Sequence, residues 1–561
     1  MRAESTTPAL DRQTLLFAGI SIAISAYIAL TLSSLRATAG GPFDVPIFRH
    51  LILYQDYAAL LPFVGILALA LLAPVRALGL LMASWCGRNA WAVALATTVA
   101  LAAGTHAVYH NHPLSMDEYS QLFQSAIFAE GRLTGQVPPA LVDWLVPPRM
   151  QGWFMRVSAA NGAIVSAYWP GFSLLLAPFT ALGVPWLLNP LIGGATVLVM
   201  HRIALALFDD VESAGLVVLL TLASPAVTIN ALSYYAMPAH LLASALYVLL
   251  LLNPTPRRAL LAGLVGSLAL VLHNPAPHLL FALPWIIWLA CRPAGLGERP
   301  RIFGALIAGY LPLCLLLGWG WPFFLQSFSL QQPVAAVASP SGAGRMLVDS
   351  LQAVTSWGPG VGLGPQLLGL CKLWIWAVPG LVAVAALGAW RLRRGQGYWL
   401  AMTGSALLTY LAYFLVRFDQ GHGWGYRYFH AAWLVLPLLA AGAVRVSHAP
   451  SPLRSYLAGC AVLSLTILTT FSALLVESHV ARHMAQSPGA ASGNVRVVIV
   501  NPSVGYYIWD LAQNDPFLRN EVIRLASRGA QADRDMMARN FPQYRLLGTE
   551  LRGTAWGVAQ P

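Results

Sequence analysis

Residues 115–131 read SMDEYSQLFQSAIFAEG and predict an amphipathic helix in a loop between long apolar segments. The apolar side chains recur at the i, i+3, i+4, i+7 spacing of one helix face, namely Met116, Tyr119, Leu122, Phe123, Ala126 and Ile127. Ser115 suits the N-cap and Gly131 suits the residue that ends the helix. Asp117 and Glu118 therefore fall in the first turn, in a chain where charged residues are only 10% of the total.

The rest of the chain is strongly apolar, with 57% hydrophobic residues among 561. Its apolar runs repeatedly reach the ~20 residues that cross a hydrocarbon layer. We therefore predict an all-α polytopic membrane protein with about thirteen transmembrane helices. The predicted spans are 14–35, 55–74, 90–110, 185–207, 212–230, 235–252, 258–273, 277–291, 302–324, 368–390, 397–416, 429–445 and 455–476.

The net charge of +12 comes from arginines in short loops between these runs, so we expect no nucleic-acid partner. With a cytoplasmic N-terminus, every inside loop is basic, which is the positive-inside pattern. This orientation places the loops 111–184, 325–367 and 417–428 on the outer face, together with the tail from 477. The five cysteines have no CxxC spacing, so neither a disulfide framework nor a zinc site is indicated.

These spans divide the chain into four regions. Three N-terminal transmembrane helices occupy 1–110, the loop with the amphipathic helix occupies 111–184, and helices 4–13 occupy 185–476. The short apolar element at 168–179 is bounded by proline and is predicted to be interfacial or re-entrant. The tail 477–561 predicts a small α/β module outside the membrane, with strands at 495–500 and 544–547 and a polar helix at about 516–540.

The acidic pair allows two interpretations. Ser115-x-x-Glu118 fits a capping box, and both acids are favoured at a helix N-terminus by the macrodipole. Neighbouring residues lie about 100° apart around a helix, so Asp117 and Glu118 cannot face one another as an acid and base pair. Only one of them would point at a substrate.

The order of motifs from 105 to 230 resembles a known family. The acidic pair is followed by PGFSLLLAP (170–178), and then by NPLIGGATVLV (189–199), which runs on to Arg202. This resembles the GT-C membrane glycosyltransferases, in particular the protein-mannosyltransferase-like and lipid-A aminoarabinose-transferase-like branch. Two extra helices precede the acidic loop, and YWPG (168–171) stands where the family often has a His-Pro-Pro-Leu-like run.

The resemblance implies an enzyme of the bacterial inner membrane with a polyprenyl-phosphate-linked sugar as donor. The acceptor would be a lipid, a glycan or a protein on the outer face. Asp117 matches the family's catalytic aspartate and Glu118 its acidic neighbour. A lipid phosphate is already a good leaving group, so one carboxylate that accepts the proton of the acceptor hydroxyl is enough. We expect an inverting single displacement with Asp117 as the base.

Histidines cluster near a predicted outer turn that reads HNPAPH (273–278). His273 and His278 could bind the donor phosphate or position the acceptor, and His240 lies at the same predicted level. A solvated turn punctuated by prolines would explain the same residues. Their spacing matches no recognised metal-ligand motif, so a divalent metal is possible but not indicated, and no cofactor is expected.

The run RFDQGHGWGYRY (417–428) predicts a turn that approaches a ligand closely. Arg427 is the candidate ligand of the donor phosphate, since guanidinium offers a bidentate fork, with His422 and Tyr426 beside it. An ion pair with Asp419 would be the structural alternative. Lys372, the only lysine, is a second phosphate candidate, although snorkelling alone would explain it.

The glycine-rich runs at 341–344 and 358–364 predict either a loop that orders over substrate or a plain linker. Two other function classes remain open. A secondary transporter would show internal repeats and ionisable residues midway through its spans, whereas most of these residues fall at predicted span ends. A non-catalytic scaffold or flippase partner in envelope assembly is compatible with the tail module.

Overall fold

The computed structural model describes residues 8–41, 45–292, 297–329, 364–416, 419–445, 451–489, 493–504 and 507–558. The glycine-rich runs at 341–344 and 358–363 and the residue Arg417 lie outside these described residues. The helices are α1 (Arg12–Thr38), α2 (Ile47–His50), α3 (Leu60–Leu69), α4 (Ala73–Arg88), α5 (Ala90–Ala107), α6 (Met116–Ala129), α7 (Val142–Leu145), α8 (Gly171–Ala181), α9 (Leu188–Phe208), α10 (Val211–Leu222), α11 (Pro225–Asn230), α12 (Met237–Leu251), α13 (Pro256–Val271), α14 (Ala276–Cys291), α15 (Glu298–Leu313), α16 (Gly320–Ser329), α17 (Gly364–Ile375), α18 (Leu381–Leu392), α19 (Gly397–Ala412), α20 (Val435–Val444), α21 (Pro452–Leu463), α22 (Thr469–Met484) and α23 (Ala530–Asn540).

Seven helical stretches among the described residues are long and apolar enough to cross a membrane by length and composition. They are Arg12–Thr38, Ile47–Leu69, Ala90–Ala107, Pro185–Phe208, Glu298–Leu325, Gly397–Leu415 and Pro452–Met484. Each coincides with a predicted span. Of the other six predicted spans, 212–230 is divided into α10 and α11, and 368–390 is divided into α17 and α18 at Gly380, which has a φ of 83°. The remaining four contain shorter helices. The helical membrane class is confirmed, and the number thirteen stays a prediction.

Helix α4 is the clearest difference in the membrane part, because its residues were expected to form a loop. It packs across the first turns of α10 and α21. Glycine allows the close approach, since a Cβ at Gly79 would lie 2.4 Å from the backbone of Ala458. A Cβ at Gly215 would lie 1.8 Å from the carbonyl oxygen of Ala83. Arg88 then reaches Glu212 at 3.2 Å, so the basic residues that suggested a loop mark the end of a helix.

The amphipathic helix is confirmed as α6. Its C-terminal end is a Schellman motif around Gly131, which has a φ of 69°. The amide of Arg132 donates to the carbonyl oxygen of Ile127 at 3.2 Å, and the amide of Gly131 donates to Phe128 at 2.9 Å. The element predicted as interfacial forms α8, whose 11 residues are too few to span a bilayer. It packs against α6, and the Ser173 hydroxyl donates to Gln121 at 2.7 Å.

In the part of the chain that the structure describes, seven short strands form two sheets. The strands are β1 (Gly135–Gln136), β2 (Met155–Val157), β3 (Ala163–Ser166), β4 (Val495–Val500), β5 (Ile523–Ala526), β6 (Arg545–Glu550) and β7 (Gly553–Gly557). The first sheet has the order β1-β3-β2 and the second has the order β5-β4-β7-β6. Only β4 and β5 pair in parallel. Residues 516–529 were expected to be helical, but Pro516 and the strand β5 occupy them, and the helix α23 begins only at Ala530.

The C-terminal module shares a hydrophobic core with the 111–184 loop. Met116, Tyr119 and Phe123 of α6 lie in one buried cluster with Val497 and Leu525 of the module. The module therefore packs directly on α6 as well as following α22 in the chain. The module covers Met116, Tyr119 and Phe123, while Asp117 and Glu118 face the membrane helices.

Candidate active site

Asp117 forms an ion pair with Arg427, 310 residues further along the chain. The two terminal nitrogens of Arg427, Nη1 and Nη2, donate to Oδ2 of Asp117 at 3.0 and 2.9 Å. The hydroxyl of Tyr168 donates to the other oxygen, Oδ1. The Asp117 side chain keeps 20% of its surface exposed, whereas that of Arg427 keeps 6%. Arg427 thus pairs with Asp117, whereas a pair of Asp419 with Arg417 involves a residue outside the described ones.

Arg427 is held by the turn that precedes it. Gly421, Gly423 and Gly425 all have positive φ values, of 66°, 136° and 63°. A Cβ at Gly423 would lie 2.0 Å from Cδ of Arg427, so the alternating glycines make room for the guanidinium to fold back over the turn. The carbonyl oxygens of Gln420 and His422 accept from Nη1.

Glu118 joins three segments behind this ion pair and is fully buried. Its Oε2 accepts from the amide of Leu114 at 2.9 Å, and Oε1 accepts from the amide of Tyr234 at 2.9 Å. The Tyr109 hydroxyl donates to Oε2 at 3.4 Å and accepts from Trp424 at 2.9 Å. The capping-box interpretation is thus only half right. Glu118 does reach back across the helix start, but to Leu114, while the Ser115 hydroxyl bonds to Tyr235 at 3.0 Å instead of capping the helix.

The surroundings shift the pKa values of Asp117 and Glu118 in opposite directions. Burial alone would raise the pKa of Asp117, but the charge of Arg427 and the hydrogen bond from Tyr168 outweigh it, so the pKa lies below its usual value. Burial raises the pKa of Glu118 to about 7, against the opposing effect of the amides of Tyr234 and Leu114. Asp117 is therefore ionised near neutral pH, and Glu118 is close to its midpoint.

The turn at 233–235 lines the site beside Arg427. The ring of Tyr235 lies 4.2 Å below the guanidinium carbon of Arg427, in a cation–π contact. Asn189, the first residue of the NPLIGG run, donates to the carbonyl oxygens of Ser233 and Tyr235 at 2.6 and 2.9 Å. The Asn189 motif thus fixes the turn that carries Tyr235.

Two of the predicted histidines line the same site. The ring of His273 lies 4.8 Å from the ring of Tyr168, and His240 lies 6.3 Å from His273. The start of α8 brings Tyr168 there, since the amide of Phe172 donates to Leu272 at 2.9 Å. No group of three or more side chains suited to hold a metal ion occurs among the described residues.

His278 does not reach this site. It lies in the first turns of α14, where Nε2 is 2.7 Å from the Tyr310 hydroxyl and the ring packs on Tyr247. These contacts join α14 to the neighbouring helices α12 and α15. The structure therefore gives His278 a packing role, in place of the expected position at a solvated turn.

Lys372 is fully buried, so snorkelling towards water is the wrong explanation for it. Its Nζ lies 3.2 Å from Oδ2 of Asp56 and donates to the carbonyl oxygen of Gly423 at 3.3 Å. Lys372 therefore holds the turn at 421–425 through the carbonyl oxygen of Gly423. A role as a phosphate ligand would require it to leave Asp56.

Tyr426 and His422 point away from Asp117. The ring of Tyr426 packs against Tyr410 and Tyr428, and a Cβ at Gly369 would lie 2.5 Å from it. The imidazole of His422 faces the end of α22, 5.6 Å from the ring of His479. Of the predicted residues, Asp117, Glu118, His240, His273 and Arg427 come together, and His278, Lys372, His422 and Tyr426 surround them.

Sequence reasoning missed Tyr168, Tyr235 and Gln420 as members of the site. Tyr168 belongs to the YWPG run, where this chain departs from the pattern of the family that it resembles. That departure was the signal that could have pointed to Tyr168. Gln420 bonds the turn to itself, because its side chain donates to Gly425 and accepts from the amide of Arg427, at 2.9 and 2.7 Å.

A cavity of about 430 Å³ lies on the far side of α6 and is distinct from this site. Tyr119, Leu122, Phe123 and Ala126 line it, together with residues of the C-terminal module such as Asn514. At about 100° per residue these α6 positions lie opposite Asp117. The cavity therefore belongs to the contact between the helix and the module.

The fold built around this site is an ArnT-like fold of the GT-C type. The chain is similar in structure to ArnT from Cupriavidus metallidurans bound to undecaprenyl phosphate, with a TM-score of 0.51 and 11% sequence identity. The match covers 83% of this chain and 98% of ArnT. The apo form of that protein gives a TM-score of 0.47 at 11% identity, over 84% of this chain and 98% of that one. No family model and no curated protein sequence matches the chain.

Proposed function

We propose that the chain is a membrane glycosyltransferase that moves a sugar from a polyprenyl-phosphate donor to an acceptor hydroxyl outside the cytoplasm. The observation that carries the proposal is the Asp117–Arg427 pair, a partly exposed carboxylate and a nearly buried guanidinium held together in an ArnT-like fold. That the ArnT structure contains undecaprenyl phosphate supports a polyprenyl-phosphate group as the donor lipid.

The geometry supports different roles for Arg427, as the phosphate ligand, and for Asp117, as the base. Both Nη groups of Arg427 donate to Oδ2 of Asp117, and the same guanidinium fork can donate to the oxygens of a donor phosphate. When Arg427 turns to the phosphate, Asp117 loses the charge that keeps its pKa low. A carboxylate in a largely buried site without that charge becomes a stronger base. Binding of the donor would thus activate Asp117.

The reaction is an inverting single displacement. The acceptor oxygen attacks the anomeric carbon, the bond from that carbon to the phosphate oxygen breaks, and Asp117 takes the hydroxyl proton. Arg427 neutralises the charge on the departing polyprenyl phosphate. Tyr168 holds the other carboxylate oxygen, so that Oδ2 faces the reactants. Glu118 positions the helix start and touches neither reactant.

The orientation proposed from the arginine pattern places this site on the periplasmic side of a bacterial inner membrane. The N-terminus would then be cytoplasmic, and the C-terminal module periplasmic. Reaction of single cysteines introduced at Glu521 and at Arg257 with a reagent that cannot cross the membrane tests this orientation. Labelling at 521 alone in whole spheroplasts is expected, and labelling at 257 alone would reverse it.

A transfer assay tests the function. Purified protein in proteoliposomes is given a panel of radiolabelled polyprenyl-phosphate sugars and membrane acceptors, either lipid, glycan or protein. We expect label on one acceptor and release of unlabelled polyprenyl phosphate in equal amount. Label that crosses the bilayer while still attached to the polyprenyl phosphate would identify a flippase instead. Label that stays on a bound donor with every acceptor would contradict transfer.

A further inference from the structure

A second cavity, of about 450 Å³, lies behind the turn at 421–425, where the end of α22 meets the C-terminal module. It lies between the end of α2, the turn at 421–425, the last turns of α22 and the connection from β6 to β7. His50, Gln55, His422, His479 and His483 line its inner part. Cavities of this size hold small-molecule ligands in other proteins.

Several of the side chains in this cavity are buried polar groups without partners. Both ring nitrogens of His422, Nε2 of His479 and Nε2 of His483 have no hydrogen-bond partner, and neither end of the Gln55 amide has one. These four residues are between 4% and 8% exposed. Buried polar groups in folded proteins are normally satisfied, so a concentration of unsatisfied ones at one cavity indicates a missing ligand.

The charge of the cavity indicates an anion. The guanidinium groups of Arg482 and Arg552 lie at its rim, and no carboxylate is among the described residues that line it. Oδ2 of Asp510, in the module, lies 4.0 Å from Nε2 of His422. Arginine forks and imidazole N–H groups together provide the donors that a phosphate needs.

We propose that this cavity binds a phosphate-bearing group, carried either on a lipid headgroup or on a soluble molecule, at a site separate from Asp117. His422 contacts both this cavity and the site of Asp117 and Arg427. The imidazole of His422 lines the cavity, whereas its carbonyl oxygen accepts from Nη1 of Arg427. Binding in the cavity therefore acts on the turn that carries Arg427.

Binding of radiolabelled inorganic phosphate to the purified full-length protein tests the soluble source, and phosphatidylcholine nanodiscs with or without phosphatidic acid test the lipid source. The Arg552→Ala substitution removes an exposed guanidinium from the rim without disturbing the core. We expect it to weaken binding by about tenfold, the value of one charge-assisted contact. His483→Gln is expected to weaken binding similarly while keeping a polar side chain.

The matched control is Arg545→Ala, an exposed arginine on β6 of the same module that does not line the cavity. It should bind the probes as the wild type does. Saturable binding of free phosphate would assign a soluble ligand. A rise in melting temperature that needs phosphatidic acid would assign a lipid headgroup. Absence of binding from both sources, or equal binding by wild type, Arg552→Ala and His483→Gln, would overturn the proposal.

Discussion

The state of Asp117 depends on two side chains, Arg427 and Tyr168, that lie far from it in sequence. A first-turn aspartate is stabilised by the helix dipole alone by less than about 1 kcal/mol at an exposed site. Here a nearly buried guanidinium and a tyrosine hydroxyl also hold the carboxylate. Sequence reasoning identified Asp117 and Arg427 separately by residue type and by resemblance. It could not pair them, because no periodicity joins positions 310 residues apart.

Replacing Arg427 by lysine tests the role of the guanidinium as a phosphate ligand. Lysine keeps the charge that Asp117 needs but loses the planar fork, so we expect donor affinity to fall by about tenfold and Arg427→Ala to lower it further. Binding of a polyprenyl-phosphate sugar to purified protein measures this. Arg545→Lys, on the module surface, is the control. Donor affinity that stays unchanged in Arg427→Ala would reject the role.

Because the pKa of Glu118 is raised, we expect its contribution to the free energy of unfolding to decrease as the pH rises. Burial raises this pKa from 4.5 to about 7, so the folded state favours the protonated form. The resulting stabilisation is complete below pH 4.5 and is lost as the pH rises through 7. Its size is on the order of 3 kcal/mol, from about 1.4 kcal/mol for each pKa unit.

The substitution Glu118→Gln stays uncharged and should remove this dependence. Melting temperatures of the wild type and of Glu118→Gln in detergent, measured between pH 4.5 and 8, give the comparison. We expect the wild type to lose stability relative to the variant as the pH rises. Parallel curves for the two proteins would show that Glu118 does not titrate in this range.

Among the elements, α6 could be predicted because its sequence obeys helical periodicity and ends in glycine. The helix α4 could not, because Arg76 and Arg88 at its ends look like the charges of a cytoplasmic loop. Small residues decide its packing, and their effect depends on the partner surface, as the contact of Gly79 with Ala458 shows. The break at Gly380 was missed although Pro379-Gly380 is a typical turn signal, because the residues on both sides of it are apolar.

The ion pair of Lys372 and Asp56 joins α17 to the segment between α2 and α3. Both side chains are at most 1% exposed, so removal of one partner leaves a buried charge. We expect Lys372→Met to lower the free energy of unfolding by about 3–5 kcal/mol. The double variant Lys372→Met with Asp56→Leu should recover most of the loss. Thermal unfolding in detergent measures both, and a single variant as stable as the wild type would contradict the pairing.

At the scale of the whole molecule, the C-terminal module completes the core on which α6 rests. The strands at 495–500 and near 545 could be predicted from their own residues. The shared core could not, because the module pairs with a loop almost 400 residues earlier. Tyr119 shows the link, since its hydroxyl donates to the carbonyl oxygen of Asn514 at 2.7 Å and accepts from the amide of Asn514 at 2.8 Å.

Tyr119→Phe tests whether the module stabilises the active site. The variant leaves two buried backbone groups of Asn514 without partners, at a cost of about 1–3 kcal/mol for each. We expect a lower melting temperature and lower transfer activity together. Tyr544→Phe, a partly exposed ring of the same module, is the control. If Tyr119→Phe melts at a lower temperature but transfers sugar at the wild-type rate while still folded, the contact between α6 and the module does not support the active site.

The most direct test of the account is the rate of sugar transfer by Asp117→Asn, measured at saturating donor. Asparagine keeps the size of the side chain and a hydrogen-bond acceptor for Arg427, but it cannot take a proton. The prediction is normal insertion, retained donor binding and a rate lower by about 10²–10⁴-fold. Asp143→Asn, in the same loop but paired with Arg528 at the surface, should transfer at the wild-type rate. An Asp117→Asn protein that transfers sugar as fast as the wild type would contradict Asp117 as the catalytic base.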